Sequence, residues 1–183
     1  MFSRVETFFM YFLPDLRVDV ERLLFARSTW GISPRLYPHP GLGQSLKGGR
    51  YSSNIAMASG LPEWTHQDIY QMARLDTGIP LIVTGMKASD SNSRRRYLAW
   101  SEDDANIIHP VKDWNKHDVI SYLKARGIPL PRTSGDQMFG VGLSIGSLLW
   151  VHDNYPDDFD KIERVFPYAR AAVYQRDWFG ATK

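Results

Sequence analysis

Apolar residues along the chain fall into short runs and helical-period stripes separated by Gly, Pro and polar turns. Phe8 to Leu13 is an aromatic-rich run that stops at Pro14 and predicts a buried strand. Asp15 then caps a predicted helix reaching about Ser28, with Leu16, Val20, Leu23 and Leu24 on its apolar face. A turn from Trp30 leads to Arg35–Tyr37, read as a short strand. Residues 38–53 are dense in Gly and Pro, carry Lys47 and Arg50, and predict a long loop. Thr65 and Asp68 have capping-box spacing at the start of a helix whose apolar face is Ile69, Met72, Ala73 and Leu75, ended by Gly78.

The second half repeats the alternation. Leu81–Thr84 and Ile107–Pro110 read as strands. Asp113 or Asn115 caps a helix running to Arg126, with Val119, Tyr122 and Leu123 inward and Gly127 and Pro129 as stops. A helix is predicted after Ser144, another over Phe159–Phe166 ended by Pro167, and a late helix or strand over Ala171–Tyr174. Strand and helix in alternation predict an α/β fold with a parallel sheet, arranged as one domain over residues 1–183.

Composition narrows the chemistry. The chain has 183 residues and no cysteine, so disulfides, thiolate zinc sites, cysteine-ligated iron–sulfur clusters and thiol redox chemistry are excluded within it. A covalently bound cofactor is not expected. His39, His66, His117 and His152 lack metal-ligand spacing, so no metal site is expected either. Net charge is +2, which argues against extensive nucleic-acid contact. No apolar run is long enough for a membrane span. The opening Met1–Leu13 stretch carries Glu6 and reads as a strand, not a signal peptide, so a cytoplasmic setting is expected.

Positive charge is local. The strand Leu81–Thr84 is followed by Gly85, Lys87, Ser89, Asp90, Ser91 and the run Arg94, Arg95, Arg96. A strand ending in Gly, then a small polar loop and cations, presents anion-binding groups at the carboxyl edge of an α/β sheet. Backbone amides and guanidinium forks there suit phosphate or sulfate. Asp153, Asp157, Asp158 and Asp160 form an acidic patch expected to cap the helix that follows.

Two stretches carry a family resemblance. Thr84-Gly-Met-Lys-Ala-Ser-Asp-Ser91 with Arg94–Arg96 resembles the Gly-x-Arg-x-x-x-Ser…Arg-Arg segment of phosphoadenosine phosphosulfate (PAPS) reductase-like proteins. His109, Pro110, Trp114, Val119, Tyr122, Leu123, Ile128 and Pro129 resemble that family's Pro-x-x-x-Trp…Val-x-x-Tyr…Ile-Pro signature. The resemblance implies an adenine nucleotide alpha-hydrolase-like, Rossmann-like sheet flanked by helices. It implies a ligand such as ATP, adenylyl sulfate or PAPS near Gly85, Lys87, Ser91 and the arginines. His109 and Trp114 are candidates to line the pocket, with a structural or packing role as the alternative for each. It also puts Ser134–Gly142 at the mouth of the site as a lid.

The chain departs from that pattern in three places. Lys87 stands where the family shows Arg, keeping the charge and losing the fork. The family's Ser-Gly-Gly-x-Asp-Ser pyrophosphate loop (PP-loop) is absent, and with it the usual central first strand, so the fold is expected to be N-terminally truncated. The vacant slot is closed by the neighbouring strands, filled by another segment, or supplied by a second chain. The reductase's catalytic cysteine is missing too, which excludes a thiol-dependent reductase. The expected function is an adenine nucleotide or sulfonucleotide-binding domain, one part of a split adenylating enzyme of the ATP pyrophosphatase type, with a second protein chain or a homo-oligomeric copy as partner. The alternative is a non-catalytic interaction or structural module, for example a phage or mobile-element assembly component in host cytoplasm or virion.

Overall fold

The computed structural model describes residues 3–53, 60, 62–101, 105–129 and 142–180. The chain is mixed α/β and divides into two compact units, residues 1–69 with 131–183, and residues 70–130.

In the first unit, β1 (Phe8–Tyr11) pairs in parallel with β2 (Arg35–Pro38), Phe8 opposite Arg35 and Tyr11 opposite Pro38. The predicted strand ends two residues early. Phe12 and Leu13 leave the ladder and bury themselves in the core instead. Between the strands runs α1 (Arg17–Trp30), closed by Gly31 in the left-handed conformation at φ 66°. Its cap is not Asp15, which sits at φ 57° before the helix. The cap comes from Asp158, whose carboxylate accepts from the Arg17 amide at 2.8 Å and the Val18 amide at 2.9 Å. The inward face also differs from the expected one. Leu16, Val18 and Asp19 are buried, whereas Val20 and Leu24 are exposed. Apolar residues lie on both sides of this helix, and the packing partner selects between them.

Residues 38–53 are not all loop. Helix α2 (Pro40–Lys47) starts with Pro at its first position, and the His39 side chain accepts from the Gly41 amide at 2.9 Å. Gly41 and Gly43 weaken its intrinsic propensity, which is why composition alone reads as loop. The helices α6 (Ile145–Asn154), α7 (Pro156–Val165) and α8 (Ala171–Phe179) complete this unit. Ser144 caps α6 by accepting from the Ser147 amide at 3.2 Å. Leu16, Leu148, Phe159, Ile162 and Phe166 form the centre of the core with Phe12, Leu13, Val151 and Val173. Phe12 and Phe166 stack with centroids 6.0 Å apart. Each fully buried phenylalanine contributes about 2 kcal/mol of apolar burial.

The acidic patch at the start of α7 does not act as one group. Asp157 faces solvent, Asp158 is fully buried as the cap of α1, and Asp153 at the end of α6 binds Arg176 at 2.6 Å. Burying a carboxylate is costly unless it is hydrogen-bonded, and the α1 amides supply those bonds. Beside Asp158 lies Asp19, also buried, with Arg22 3.5 Å away. Burial, opposed by Arg22 and helped by the Asp158 charge, pushes the Asp19 carboxyl up to about 6.

Helix α3 (His66–Thr77) begins in the first unit and runs into the second. The Thr65–Asp68 capping box forms: the Thr65 amide donates to Asp68 Oδ2 at 2.7 Å and the Asp68 amide donates back to Thr65 Oγ1 at 3.2 Å. Ile69, Tyr70 and Ala73 are buried, but Leu75 is exposed, contrary to expectation. In the second unit β3 (Ile82–Val83) pairs in parallel with β4 (Ile107–Ile108), Ile82 opposite Ile107. Ile82, Leu98 and Ile107 are buried, with Leu98 on α4 (Asn92–Ser101). Helix α5 (Lys116–Ala125) carries a full capping box between Asn115 and Asp118. The stripe expected to be buried on α5 is shallow: Val119 and Leu123 are half-buried and Tyr122 is exposed. Among the described residues, sheet pairing is limited to these two two-stranded parallel sheets, one in each unit.

Candidate functional site

The anion-binding candidates lie within the second unit, at the carboxyl ends of β3 and β4. Parallel pairing carries the Thr84 amide onto the Ile108 carbonyl at 3.0 Å, so Thr84 and His109 leave adjacent strands side by side. Thr84 Oγ1 and His109 Nδ1 are 2.6 Å apart, and the Met86 amide donates to Thr84 Oγ1 at 3.3 Å. The pair is half-buried. Desolvation, reinforced by the Lys112 charge, lowers the His109 pKa, which favours a neutral imidazole at pH 7. The Tyr97 ring stands edge-on to His109, with centroids 6.3 Å apart.

Beyond Thr84 the chain is pinned to the segment that follows β4. The Ala88 amide donates to the Lys112 carbonyl at 2.8 Å, and Ser89 Oγ donates to the Trp114 carbonyl at 2.8 Å. Ala88–Asp90 form one turn of 3-10 helix. Ser91 then turns extended and caps α4, accepting from the Arg94 amide at 3.1 Å. The sequence folds this way because small residues at 88 and 89 let the two loops approach, and Ser91 supplies the acceptor that a helix start requires.

The charged groups converge on one carboxylate. Lys87 Nζ lies 3.0 Å from Asp90 Oδ1, and Arg94 Nη1 lies 2.6 Å from Asp90 Oδ2. Partial burial opposes ionisation of Asp90, but the bonds from Lys87 and Arg94 outweigh it and hold the carboxyl below its ordinary value. The Lys87 side chain is 17% exposed and Arg94 53%, so the cluster runs from a half-sheltered lysine to a solvent-facing guanidinium. Arg95 and Arg96 are exposed on α4 and form no ion pair with a described residue.

The structure therefore brings Lys87, Asp90 and Arg94 together, and ties Ser89 to Trp114 through the backbone. It does not direct Arg95 and Arg96 to the same carboxylate. Gly85 is exposed, and a Cβ built there would meet no atom within 4 Å. Trp114 packs edge-on against Tyr122 at 5.3 Å, with the Arg126 guanidinium 5.0 Å from the Tyr122 ring centroid. Trp114 thus packs against α5.

Sequence reasoning missed Thr84 as the partner of His109 and missed that Asp90 is a counter-ion. The second left no helical signal, because extended Ser91 separates the 3-10 turn from α4 and residues 87, 90 and 94 do not share a helix. The expected lid, Ser134–Gly142, has residues 134–141 outside the described residues. Among the described residues no group of three or more His, Asp or Glu could hold a metal ion, and no helix is long and apolar enough to cross a membrane.

Comparison of the chain with protein-family models, with curated proteins and with solved structures finds no match.

Proposed function

We propose that residues 84–96, with His109 beside them, bind the phosphate or sulfate of an adenine nucleotide or sulfonucleotide. One observation carries the reading: Lys87 and Arg94 hold an oxyanion, the Asp90 carboxylate, at the carboxyl end of a parallel strand. Carboxylate and phosphate are recognised by the same charge-assisted hydrogen bonds. Carboxyl ends of parallel strands are where α/β proteins collect their ligands. The Ser91-capped start of α4 adds a helix dipole that favours negative charge.

The resemblance to PAPS reductase-like proteins supplies the adenine nucleotide, and with it a Rossmann-like arrangement of the strands. In this reading catalysis is adenylation, completed by a second chain carrying the pyrophosphate loop. Lys87 and Arg94 orient the anion, and His109, neutral and hydrogen-bonded to Thr84, lines the pocket. Isothermal titration with ATP, adenylyl sulfate and PAPS tests the reading. Saturable binding of at least one, weakened in Lys87→Gln, supports it; heats at the dilution level for all three sink it.

A second reading, a non-catalytic interaction module, draws on α8, where Tyr174, Trp178 and Phe179 are exposed. Large apolar side chains on one surface helix suit a protein partner. Light scattering after size exclusion tests it: a monomer at all concentrations, unchanged by Trp178→Ser, counts against self-association through α8.

A further inference from the structure

We propose that Asp90 is the resident occupant of the anion site, a built-in counter-anion with which the ligand's phosphate or sulfate competes for Lys87 and Arg94. The inference rests on the anion-binding reading and adds to it how the site is held closed to weak or wrong anions.

The geometry is that of a bound ligand. Asp90 presents one oxygen to Lys87 and the other to Arg94, bridging two cations as a phosphate would with two of its oxygens. The 3-10 turn that carries it is tied at its first two residues to the segment after β4, through Ala88 to Lys112 and through Ser89 to Trp114. The carboxylate is thus delivered to the cations from a turn that these two bonds anchor. Lys87 arrives from extended backbone and Arg94 from the first turn of α4, so the three groups share no single helix that would make the contact automatic.

An incoming oxyanion meets two obstacles. It must replace the hydrogen bonds that Asp90 already makes, and it must approach a like charge at contact distance. A monoanion gains too little from the two cations to do both. A di- or polyanion such as a nucleotide phosphate chain or a 3′-phosphate with a sulfate gains more, because each added charge strengthens its attraction to the two cations. Asp90 then sets a threshold of ligand charge.

The test compares wild type, Asp90→Asn and Asp90→Glu by isothermal titration with ATP, PAPS and inorganic sulfate in low salt, with thermal unfolding to confirm that each variant is folded. Asp90→Asn, which keeps shape and loses charge, is expected to bind ATP or PAPS about tenfold or more tightly than wild type and to gain measurable sulfate binding. The gain shrinks as salt rises. Asp90→Glu, which keeps the charge, is expected to stay within about threefold of wild type. Wild type that binds a nucleotide while Asp90→Asn binds it equally or more weakly overturns the gating role and leaves the anion-site reading standing. Absence of binding in wild type and Asp90→Asn alike overturns the anion-site reading and the gate with it. An Asp90→Asn chain that no longer folds, with Asp90→Glu binding tenfold more tightly than wild type, also overturns the gate.

Discussion

Replacing Asp19 with Asn should stabilise the protein at neutral pH and have almost no effect in acid. Asp19 is 5% exposed on the first turn of α1, facing the fully buried Asp158 cap. Burial, against the pull of Arg22, moves its carboxyl from an ordinary 3.8 to about 6. A tenfold change in an ionisation equilibrium is worth about 1.4 kcal/mol. Shifting the group from 3.8 to about 6 therefore corresponds to a penalty of order 3 kcal/mol for keeping Asp19 ionised in the folded chain. The sign follows from linkage. The folded group holds its proton more tightly than the unfolded one, so its contribution is fully favourable below 3.8 and is lost as pH rises through about 6. Asn carries no charge at any pH and loses little packing. Urea unfolding of wild type and Asp19→Asn from pH 3.5 to 7.5 checks this. The variant should be more stable by about 1–3 kcal/mol at pH 7.5, with the gap closing towards zero near pH 4. A gap independent of pH, or one that favours wild type at pH 7.5, would falsify the claim that Asp19 is a desolvated carboxylate.

Three further perturbations follow from the same contacts. Asp158→Ala leaves the Arg17 and Val18 amides without their acceptor; a loss of about 2–4 kcal/mol in thermal or urea unfolding is expected, with a smaller loss for Asp158→Asn, which keeps one oxygen. Thr84→Val removes the link to His109 and to the Met86 amide, and should cost about 1 kcal/mol; an unchanged unfolding midpoint would show that the pair does not hold the ends of β3 and β4. Gly85→Ala places a methyl where no atom lies within 4 Å, so stability should change by less than about 0.5 kcal/mol. Nucleotide affinity should fall in that variant if the ligand occupies the space beside Gly85, and equal affinities would move the ligand elsewhere.

What the sequence made legible was local. The Thr65–Asp68 capping box stands where its spacing puts it, Asn115 takes the cap for which Asp113 was the other candidate, and a helix follows Ser144, which caps it. The short runs that begin at residues 8, 81 and 107 form strands, each shorter than expected, at Phe8–Tyr11, Ile82–Val83 and Ile107–Ile108, and Arg35–Pro38 forms one too. What was hidden depends on distant partners. Nothing near residue 17 announces that α1 is capped by Asp158, about 140 residues away in sequence. The face of α1 that turns inward is chosen by the core it meets, which is why Asp19 is buried and Leu24 is not. Glycines masked α2, whose cap is a histidine rather than one of the usual oxygen acceptors. In the candidate site the cations were visible as a charge run, but their tie to Asp90 is a property of the folded turn. A run of arginines reads as three equivalent ligands for an anion. The fold makes Arg94 part of a bridge and leaves Arg95 and Arg96 on the outside of α4.

The central claim is that Lys87 and Arg94 form an oxyanion site for a nucleotide. Titration of wild type and the Lys87→Gln, Arg94→Gln double variant with ATP and PAPS at low salt tests it most directly. Saturable binding by wild type is expected, with a loss of tenfold or more in the double variant and both proteins unfolding as one folded population. Equal affinities in the two proteins, or no binding by wild type, would contradict it.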